Sequence, residues 1–144
     1  MPTNAKHIIM KTLLWLDDVR NPFVADWLLQ WAPEYYYEKD NGTHEVVWVK
    51  SYNEFVQWIE TNGLPDEIGF DHDLADVIYS KRGNVDMLKS TWNEKTGMDC
   101  AKWLVDFCID NNKIIPDFFV QSANPVGAKN ITTYINNAKG FLHE

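Results

Sequence analysis

Short apolar runs alternate with segments of helical periodicity along this chain, and this alternation limits the folds it can adopt. Thr12–Leu16 is a continuous apolar run, which is typical of a strand buried on both faces of a parallel sheet. With that run included, the predicted strands are 12–16, 45–49, 67–70 and 117–121. The order β-α-β-α-β-α-β-α favours an α/β fold, because right-handed crossovers then place helices on both faces of the sheet.

N-cap signals predict where the helices begin. Asn21-Pro22 and Asn124-Pro125 each combine a preferred N-cap with a residue that suits the first helical position. We therefore expect one helix directly after Asn21 and another after Asn124. Two further starts are predicted at Ser51, where Glu54 completes a capping box, and at Thr96.

Two connections carry their own predictions. Residues 74–95 are polar and irregular, and loops of that length often act as lids or binding segments. Trp92 lies in this insert and is the tryptophan best placed to contact a ligand, whereas we assign the other tryptophans to the core. Residues 34–44 are predicted to form a polar and aromatic connection with a turn at Asn41-Gly42.

Composition and charge predict one globular domain over residues 1–144. Hydrophobic residues make up 45% of the chain, which suffices for a core of ordinary size. The net charge of −8 disfavours non-specific binding to nucleic-acid backbones. No apolar stretch reaches the roughly 20 residues of a membrane span, and the stretch 7–16 runs into Asp17-Asp18 without a cleavage site. We expect neither a membrane anchor nor a signal peptide.

The two cysteines indicate a cytoplasmic protein. Cys100 and Cys108 fall on one predicted helix, where a rise of about 1.5 Å per residue separates them by about 12 Å. A disulfide needs Cα atoms within about 7 Å. We therefore expect two reduced thiols, as is usual in the cytoplasm.

Three polar clusters follow predicted strands, at the positions where open α/β sheets bind ligands. They are Asp17-Asp18-Val-Arg20, Asp71-His72-Asp73 and Ser122-Ala-Asn124-Pro125. If the strand order is 2-1-3-4, the first and third strands are neighbours and their acids meet at one edge. Crowded carboxylates need a cation or raised pKa values, and oxygen ligands favour Mg²⁺ or Mn²⁺. The alternative is that these acids are solvated caps and turn formers.

The cluster after the fourth strand is suited to an anion. Backbone N–H groups at a helix start attract phosphate, Gly127 permits a close approach, and Lys129 adds charge in the first turn. Arg20 carries the fork-shaped donors that clamp a phosphate. An ordinary N-cap at Asn124 and a surface ion pair at Arg20 are the alternatives.

His72 lies between two aspartates and is a candidate general acid or base. Strand alternation, however, turns its side chain away from those of Asp71 and Asp73. A buried structural histidine is therefore the alternative interpretation.

Four motifs occur in order along residues 13 to about 135: LDDVRNP at Leu16–Pro22, FDHDL at Phe70–Leu74, TGMD at Thr96–Asp99 and SANPVGA at Ser122–Ala128. In these motifs the chain resembles the cyclic-phosphate-processing receiver domain family. This is a receiver-like group, common in phages and bacteria, whose proposed role is to process nucleotide-type cyclic phosphates. The resemblance implies a three-layer, flavodoxin-like fold similar to that of response-regulator receivers. In those receivers the acids hold Mg²⁺, and the aspartate after the third strand accepts a phosphoryl group.

The chain departs from these relatives at two points. Gln121 stands where the family often has His before the Ser of the fourth motif. The sequence also shows no fifth strand with the Lys that contacts the phosphoryl group in ordinary receivers, which disfavours conventional phosphorelay signalling. Lys129 and Arg20 are the candidate replacements for that cation.

The residues and the resemblance together predict a metal-dependent phosphoesterase that opens the cyclic phosphate of a small nucleotide-type ligand. Mg²⁺ or Mn²⁺ would be held by Asp17, Asp18 and Asp71. The candidate catalytic residues are Asp71, His72, Asp73 and Ser122, with Asp71 as an alternative nucleophile. The candidate substrate-binding residues are Arg20, Asn124, Gly127 and Lys129. The competing hypotheses are a non-catalytic module that sequesters such a ligand and a degenerate receiver that contacts proteins.

Overall fold

A computed structural model of the chain describes residues 10–74 and 95–142. Its strands are β1 (Lys11–Leu16), β2 (His44–Val49), β3 (Glu67–Phe70) and β4 (Asp117–Val120). Its helices are α1 (Trp27–Trp31), α2 (Pro33–Glu38), α3 (Tyr52–Asn62), α4 (Gly97–Asn111) and α5 (Pro125–Leu142). The interior of the predicted insert 74–95, with Trp92, lies outside the described residues.

The four strands form one parallel sheet with the order β2-β1-β3-β4. This confirms the predicted order 2-1-3-4, which is that of the flavodoxin-like fold. Leu16 is in register with Val49 on one side and with Phe70 on the other, and Phe70 pairs with Val120. The carboxyl ends of all four strands therefore lie level at one edge of the sheet.

Each face of the sheet has its own hydrophobic core, so the prediction of helices on both faces is confirmed. Leu14 and Leu16 belong to the larger core, which contains buried residues of α3, α4 and α5. Leu13 and Trp15 belong to the smaller core, against Leu28 of α1 and residues of α2. Because side chains alternate along β1, an odd-numbered residue that continues the strand lies on the same face as Leu13 and Trp15.

The predicted helix after Asn21 is wrong in its start. The Asn21 side chain accepts a hydrogen bond from the Phe23 N–H at 2.8 Å, which closes a turn rather than capping a helix. Ala25 then adopts a left-handed conformation with φ of 55°, and α1 begins only at Trp27. A short side chain that can bond two residues ahead favours such a turn over helix entry.

The connection predicted for residues 34–44 is also partly wrong, because it contains most of α2. Ala32 has φ of −144° and ψ of 65°, which ends α1, and Pro33 then starts α2 as its first residue. Proline is well tolerated there since that position needs no N–H donor. The predicted turn is present, with Gly42 at φ of 76°.

The caps of α3 and α4 lie where the sequence predicted them, with one difference. At α4, Thr96 and Asp99 bond reciprocally in a full capping box. At α3 the Ser51 hydroxyl accepts from the Glu54 N–H, but the Glu54 carboxylate accepts from the Lys50 N–H instead of from Ser51. Both helix starts are satisfied by side chains, as an N-cap requires.

Cys100 and Cys108 are unpaired and buried on α4, and burial raises the pKa of both thiols. These are the properties of inert core thiols. Within residues 10–74 and 95–142, no helix has the length and apolar character needed to cross a membrane.

Candidate metal and phosphate site

Three carboxylates meet at the carboxyl edge of the sheet. Asp17 and Asp18 follow β1, Asp71 follows the neighbouring β3, and one oxygen from each lies within 4.8 Å of the others. Asp17 is fully buried and Asp71 is 4% exposed. The structure thus brings together the three residues proposed as metal ligands, because parallel neighbouring strands end side by side.

The electrostatics of this acidic cluster favour a bound cation. Burial, followed by the charges of Asp17 and Asp18, raises the pKa of Asp71 to about 8, although Arg20 opposes the shift. Burial and the neighbouring carboxylates thus both disfavour a negative charge on Asp71 in the absence of a cation. Three carboxylate donors are also the oxygen ligands that Mg²⁺ and Mn²⁺ prefer, so the residues fit such an ion.

Arg20 faces the acids instead of standing alone as a phosphate clamp. Its Nη1 lies 3.3 Å from Asp17 Oδ2 and 3.7 Å from Asp71 Oδ1. The guanidinium also lies over the ring of Trp27, 5.3 Å from its centroid. The ion pair that the sequence left open is present, and the predicted role of Arg20 in phosphate binding stays a prediction.

Indole groups hold the loop between Asp17 and Arg20 in place. The Asp17 carboxylate accepts from the backbone N–H groups of Val19 and Arg20 at 3.0 and 2.8 Å. Trp15 donates to the Arg20 carbonyl at 2.8 Å, and Trp48 donates to the Asp17 carbonyl at 2.7 Å. We had assigned both tryptophans to the core alone. The signal was available, since a buried indole N–H requires an acceptor.

His72 lies against α5, but the prediction that strand alternation turns it away from Asp73 is wrong. Its Nδ1 lies 2.8 Å from Asp73 Oδ1, and the Asp73 side chain is 64% exposed. A Cβ placed on Gly127 would lie 2.5 Å from the His72 ring, so only glycine allows this approach. His72 is therefore held between an exposed carboxylate and the first turn of α5.

Gly97 is a site residue that we did not single out. A Cβ there would lie 1.9 Å from the Asp71 carbonyl oxygen, and its N–H donates to the His72 carbonyl at 2.7 Å. The start of α4 is thus seated directly on the backbone that carries Asp71. The only sequence signal was the glycine of the TGMD motif.

The turn before α5 satisfies more of its own donors than we expected. Ser122 Oγ accepts from the Asn124 N–H at 3.0 Å, and Asn124 Oδ1 accepts from the Gly127 N–H at 2.9 Å. Pro125 has no N–H. This helix start therefore offers a phosphate fewer backbone donors than the sequence suggested, while the Ser122 hydroxyl retains its proton to donate.

The acids open into a cleft of about 370 Å³, lined by Asp18, Val19, Arg20, Trp27, Asp71, Asp73 and Ala123. Trp27 is a lining residue that the helical pattern led us to assign to a core face. Lys129 is exposed and lines a different groove, with Met98 and Lys102 between α4 and α5. Its predicted role in phosphate binding stays a prediction.

Comparison with known proteins identifies the group in which this geometry occurs. The family model for the cyclic-phosphate processing receiver domain matches residues 12–137, which include every strand end described above except the start of β1. The chain belongs to the cyclic-phosphate processing receiver domain family. This confirms the resemblance found in the sequence motifs.

Other comparisons add little to the family assignment. A crystal structure of a response regulator receiver domain protein from Clostridium thermocellum is similar to the chain, with 17% identity and a TM-score of 0.38. The similarity covers 91% of this chain and 95% of that one. No protein of curated function matches the chain.

Proposed function

We propose that this member of the cyclic-phosphate processing receiver domain family is a metal-dependent phosphoesterase that opens the cyclic phosphate of a nucleotide-type substrate. The observation that carries the proposal is the meeting of Asp17, Asp18 and Asp71, of which Asp18 and Asp71 line a cleft. The family description supports cyclic phosphates as the class of substrate. The cleft volume is within the range of small-molecule sites.

The acidic cluster supplies the metal ligands in this proposal. Asp17, Asp18 and Asp71 would hold Mg²⁺ or Mn²⁺, and Asp71 would release its proton as it became a ligand. A bound ion of this kind supplies positive charge to the phosphoryl oxygens and activates water for attack. Arg20 would then be drawn from the acids toward the negative charge of the phosphate, which its guanidinium can bind.

The pair of His72 and Asp73 is the proposed proton carrier. Ring opening forms a bond from water to phosphorus and breaks one ester bond, and the departing oxygen must receive a proton. The Asp73 carboxylate contacts Nδ1 of His72 and lines the cleft, so it can fix the imidazole tautomer. Attack by Asp71 itself, giving an aspartyl-phosphate, is a second route within the same class of reaction.

The phosphate side of the proposal rests on Ser122 and Asn124. Ser122 would donate its hydroxyl proton to a phosphoryl oxygen, while Asn124 keeps the turn rigid through its bond to Gly127. A donor already fixed by the fold needs no reorganisation as charge develops in the transition state.

A sequestering module is the second candidate function. Gln121 favours it, because an amide cannot exchange a proton at the position where the family often has His. Such a module would bind the cyclic phosphate with the same residues and would not break an ester bond.

Turnover of a panel of cyclic nucleotides, followed by phosphorus NMR with Mg²⁺ or Mn²⁺, tests the proposal. We expect conversion of a cyclic to a linear phosphate by the wild type and by Asp106→Asn, an exposed control on α4, and none by Asp71→Asn. Cation-dependent binding without conversion would establish the sequestering module instead. Absence of both would leave the degenerate receiver, and the site assignment would be wrong.

A further inference from the structure

Gln121 is a buried polar residue beneath the acidic cluster. It follows β4 and is 2% exposed. Its backbone N–H donates to the Phe70 carbonyl at 2.9 Å, and its side-chain Nε2 donates to the Leu16 carbonyl at 2.9 Å. Since β3 lies between β4 and β1, the Gln121 side chain spans the width of β3.

Gly69 on β3 makes this crossing possible. A Cβ at Gly69 would lie 2.9 Å from Gln121 Oε1 and 2.6 Å from the ring of Phe119. Any larger residue would therefore displace the amide from beneath the cluster. Gly69 and Gln121 form a matched pair, one providing the gap and the other filling it.

The hydrogen bond of Gln121 acts on the peptide group that carries Asp17. The Leu16 carbonyl accepts from both the Asp71 N–H, at 3.0 Å, and Gln121 Nε2. The N–H of the same peptide group, on Asp17, donates to the Val49 carbonyl at 3.0 Å. The peptide plane before Asp17 is thus held from both sides, and its orientation sets the direction of the Asp17 side chain.

The other end of the Gln121 amide points to a cost in stability. Gln121 Oε1 is buried and has no hydrogen-bond partner among the described residues. A buried acceptor without a donor lowers stability, and an apolar side chain of similar volume would avoid that penalty. In native folds such a group is accounted for by a bound water or ion, or by a role in a nearby site.

We infer that Gln121 is a positioning residue for the proposed metal site, where it sets the spacing between the carboxylates of Asp17 and Asp71. The inference rests on the proposed function, because it takes this cluster to be the cation site. A rigid spacing matters most for Mg²⁺, which demands near-octahedral geometry, and least for Ca²⁺, which accepts variable geometry and longer bonds.

Calorimetric titration of Gln121→Met with Mg²⁺ and with Ca²⁺ tests this role, with melting curves in the absence of metal. The matched control is Gln57→Met, the same change at an exposed position on α3. We expect the Mg²⁺ affinity of Gln121→Met to fall about 10-fold, the order reported for loss of an outer-shell partner. The Ca²⁺ affinity should change less than about 3-fold, with metal-free melting no lower than that of the control.

A second variant, Gln121→Asn, keeps an amide that stops one methylene short of the Leu16 carbonyl, and the same change in ion preference is expected. Equal Mg²⁺ affinity in wild type and both variants would overturn the inference and leave the metal site intact. A uniform loss for both ions, together with lower melting, would also overturn it, because Gln121 would then be structural. A wild type that binds neither ion would overturn the proposed function itself, and the inference with it.

Discussion

The acidic cluster and the turn before α5 lie at the same edge of the sheet but satisfy their polar groups in opposite ways. In the acidic cluster, one oxygen from each of three carboxylates lies within 4.8 Å of the others, and burial together with the charges of Asp17 and Asp18 raises the pKa of Asp71 although Arg20 opposes the shift. In the turn, Ser122 and Asn124 bond to the turn's own N–H groups. The first region therefore gathers like charges that a cation could balance, whereas the second satisfies donors of its own turn.

Asp17 combines the two arrangements, since it is part of the acidic cluster and also hydrogen-bonds to its own loop. One of its oxygens accepts from two backbone N–H groups and shapes the loop, while a carboxylate oxygen also lies within the cluster. Substituting Asp17 would mix a loop defect with a metal defect. Asp71 separates the two more cleanly, because its side chain interacts with the charges of Arg20, Asp17 and Asp18.

The largest effect is expected from Asp71→Asn. Turnover and Mg²⁺ affinity should each fall by more than the roughly 10- to 100-fold that loss of an outer-shell partner causes, since a direct ligand is removed. The metal-free protein should melt at a higher temperature, because charge repulsion and the burial of a carboxylate are relieved. A turnover assay measures the loss of activity. Thermal melting with and without Mg²⁺ measures the loss of metal binding and the gain in metal-free stability. Lower metal-free stability with an unchanged Mg²⁺ shift would identify the acids as structural caps.

Ser122→Ala should lower turnover on the order of 10²-fold, the cost of one donor that acts on charge in the transition state. The stability of the variant should be nearly that of the wild type, because the substitution removes a single hydrogen bond, the one that Ser122 Oγ accepts from the Asn124 N–H. Steady-state kinetics with a cyclic nucleotide that the wild type opens, alongside melting curves, measures the two quantities. Full activity in Ser122→Ala would place the phosphate donors elsewhere and break the contrast between the two regions.

The acidic cluster, unlike the turn, should make the stability of the fold depend on pH. The pKa of Asp71 is about 8 in the folded chain and 3.8 for the ordinary side chain, so the folded state holds an extra proton between these values. The stabilisation is complete below about pH 4 and is lost as pH rises through about 8. Urea unfolding of the metal-free protein across that range should show this decline, and Asp71→Asn should flatten it. A decline of equal size in Asp71→Asn would assign it to other groups.

The smallest effect is expected in the turn. Asn124→Ala should lower the free energy of unfolding by about 1 kcal/mol through loss of the N-cap, with or without Mg²⁺. Asn124→Ser, which retains a good cap, should recover most of this, and Asn130→Ala on the exposed face of α5 serves as a control. Urea unfolding measures all three. A loss that appeared only with bound Mg²⁺ would mean that the turn depends on the cation site.

The sequence predicted the sheet order and the meeting of the acids for the same physical reason. Buried parallel strands are continuous apolar runs, and the residues that follow them must share one edge. The cap of α4 was equally predictable from the sequence, because Thr96 and Asp99 interact within a single turn. Local chemistry and strand periodicity sufficed for these features.

The features that the sequence did not reveal depend on contacts between distant segments. Asn21 had the signature of a helix cap, yet its side chain closes a turn inside a loop that Trp15 and Trp48 fix from the strands. The choice of Arg20 between phosphate and carboxylate required knowing that Asp71 lies beside Asp17. The role of Gln121 required the register that places Gly69 beneath it.

The central claim is that Asp17, Asp18 and Asp71 form one divalent-cation site. A crystal structure of the wild-type protein with Mn²⁺, with anomalous data collected at the manganese edge, tests it most directly. The account predicts one strong anomalous peak bonded to an oxygen of each of the three carboxylates, absent from matched crystals of Asp71→Asn. Crystals that hold Mn²⁺ elsewhere, or that show no peak among these carboxylates at saturating Mn²⁺, would contradict it.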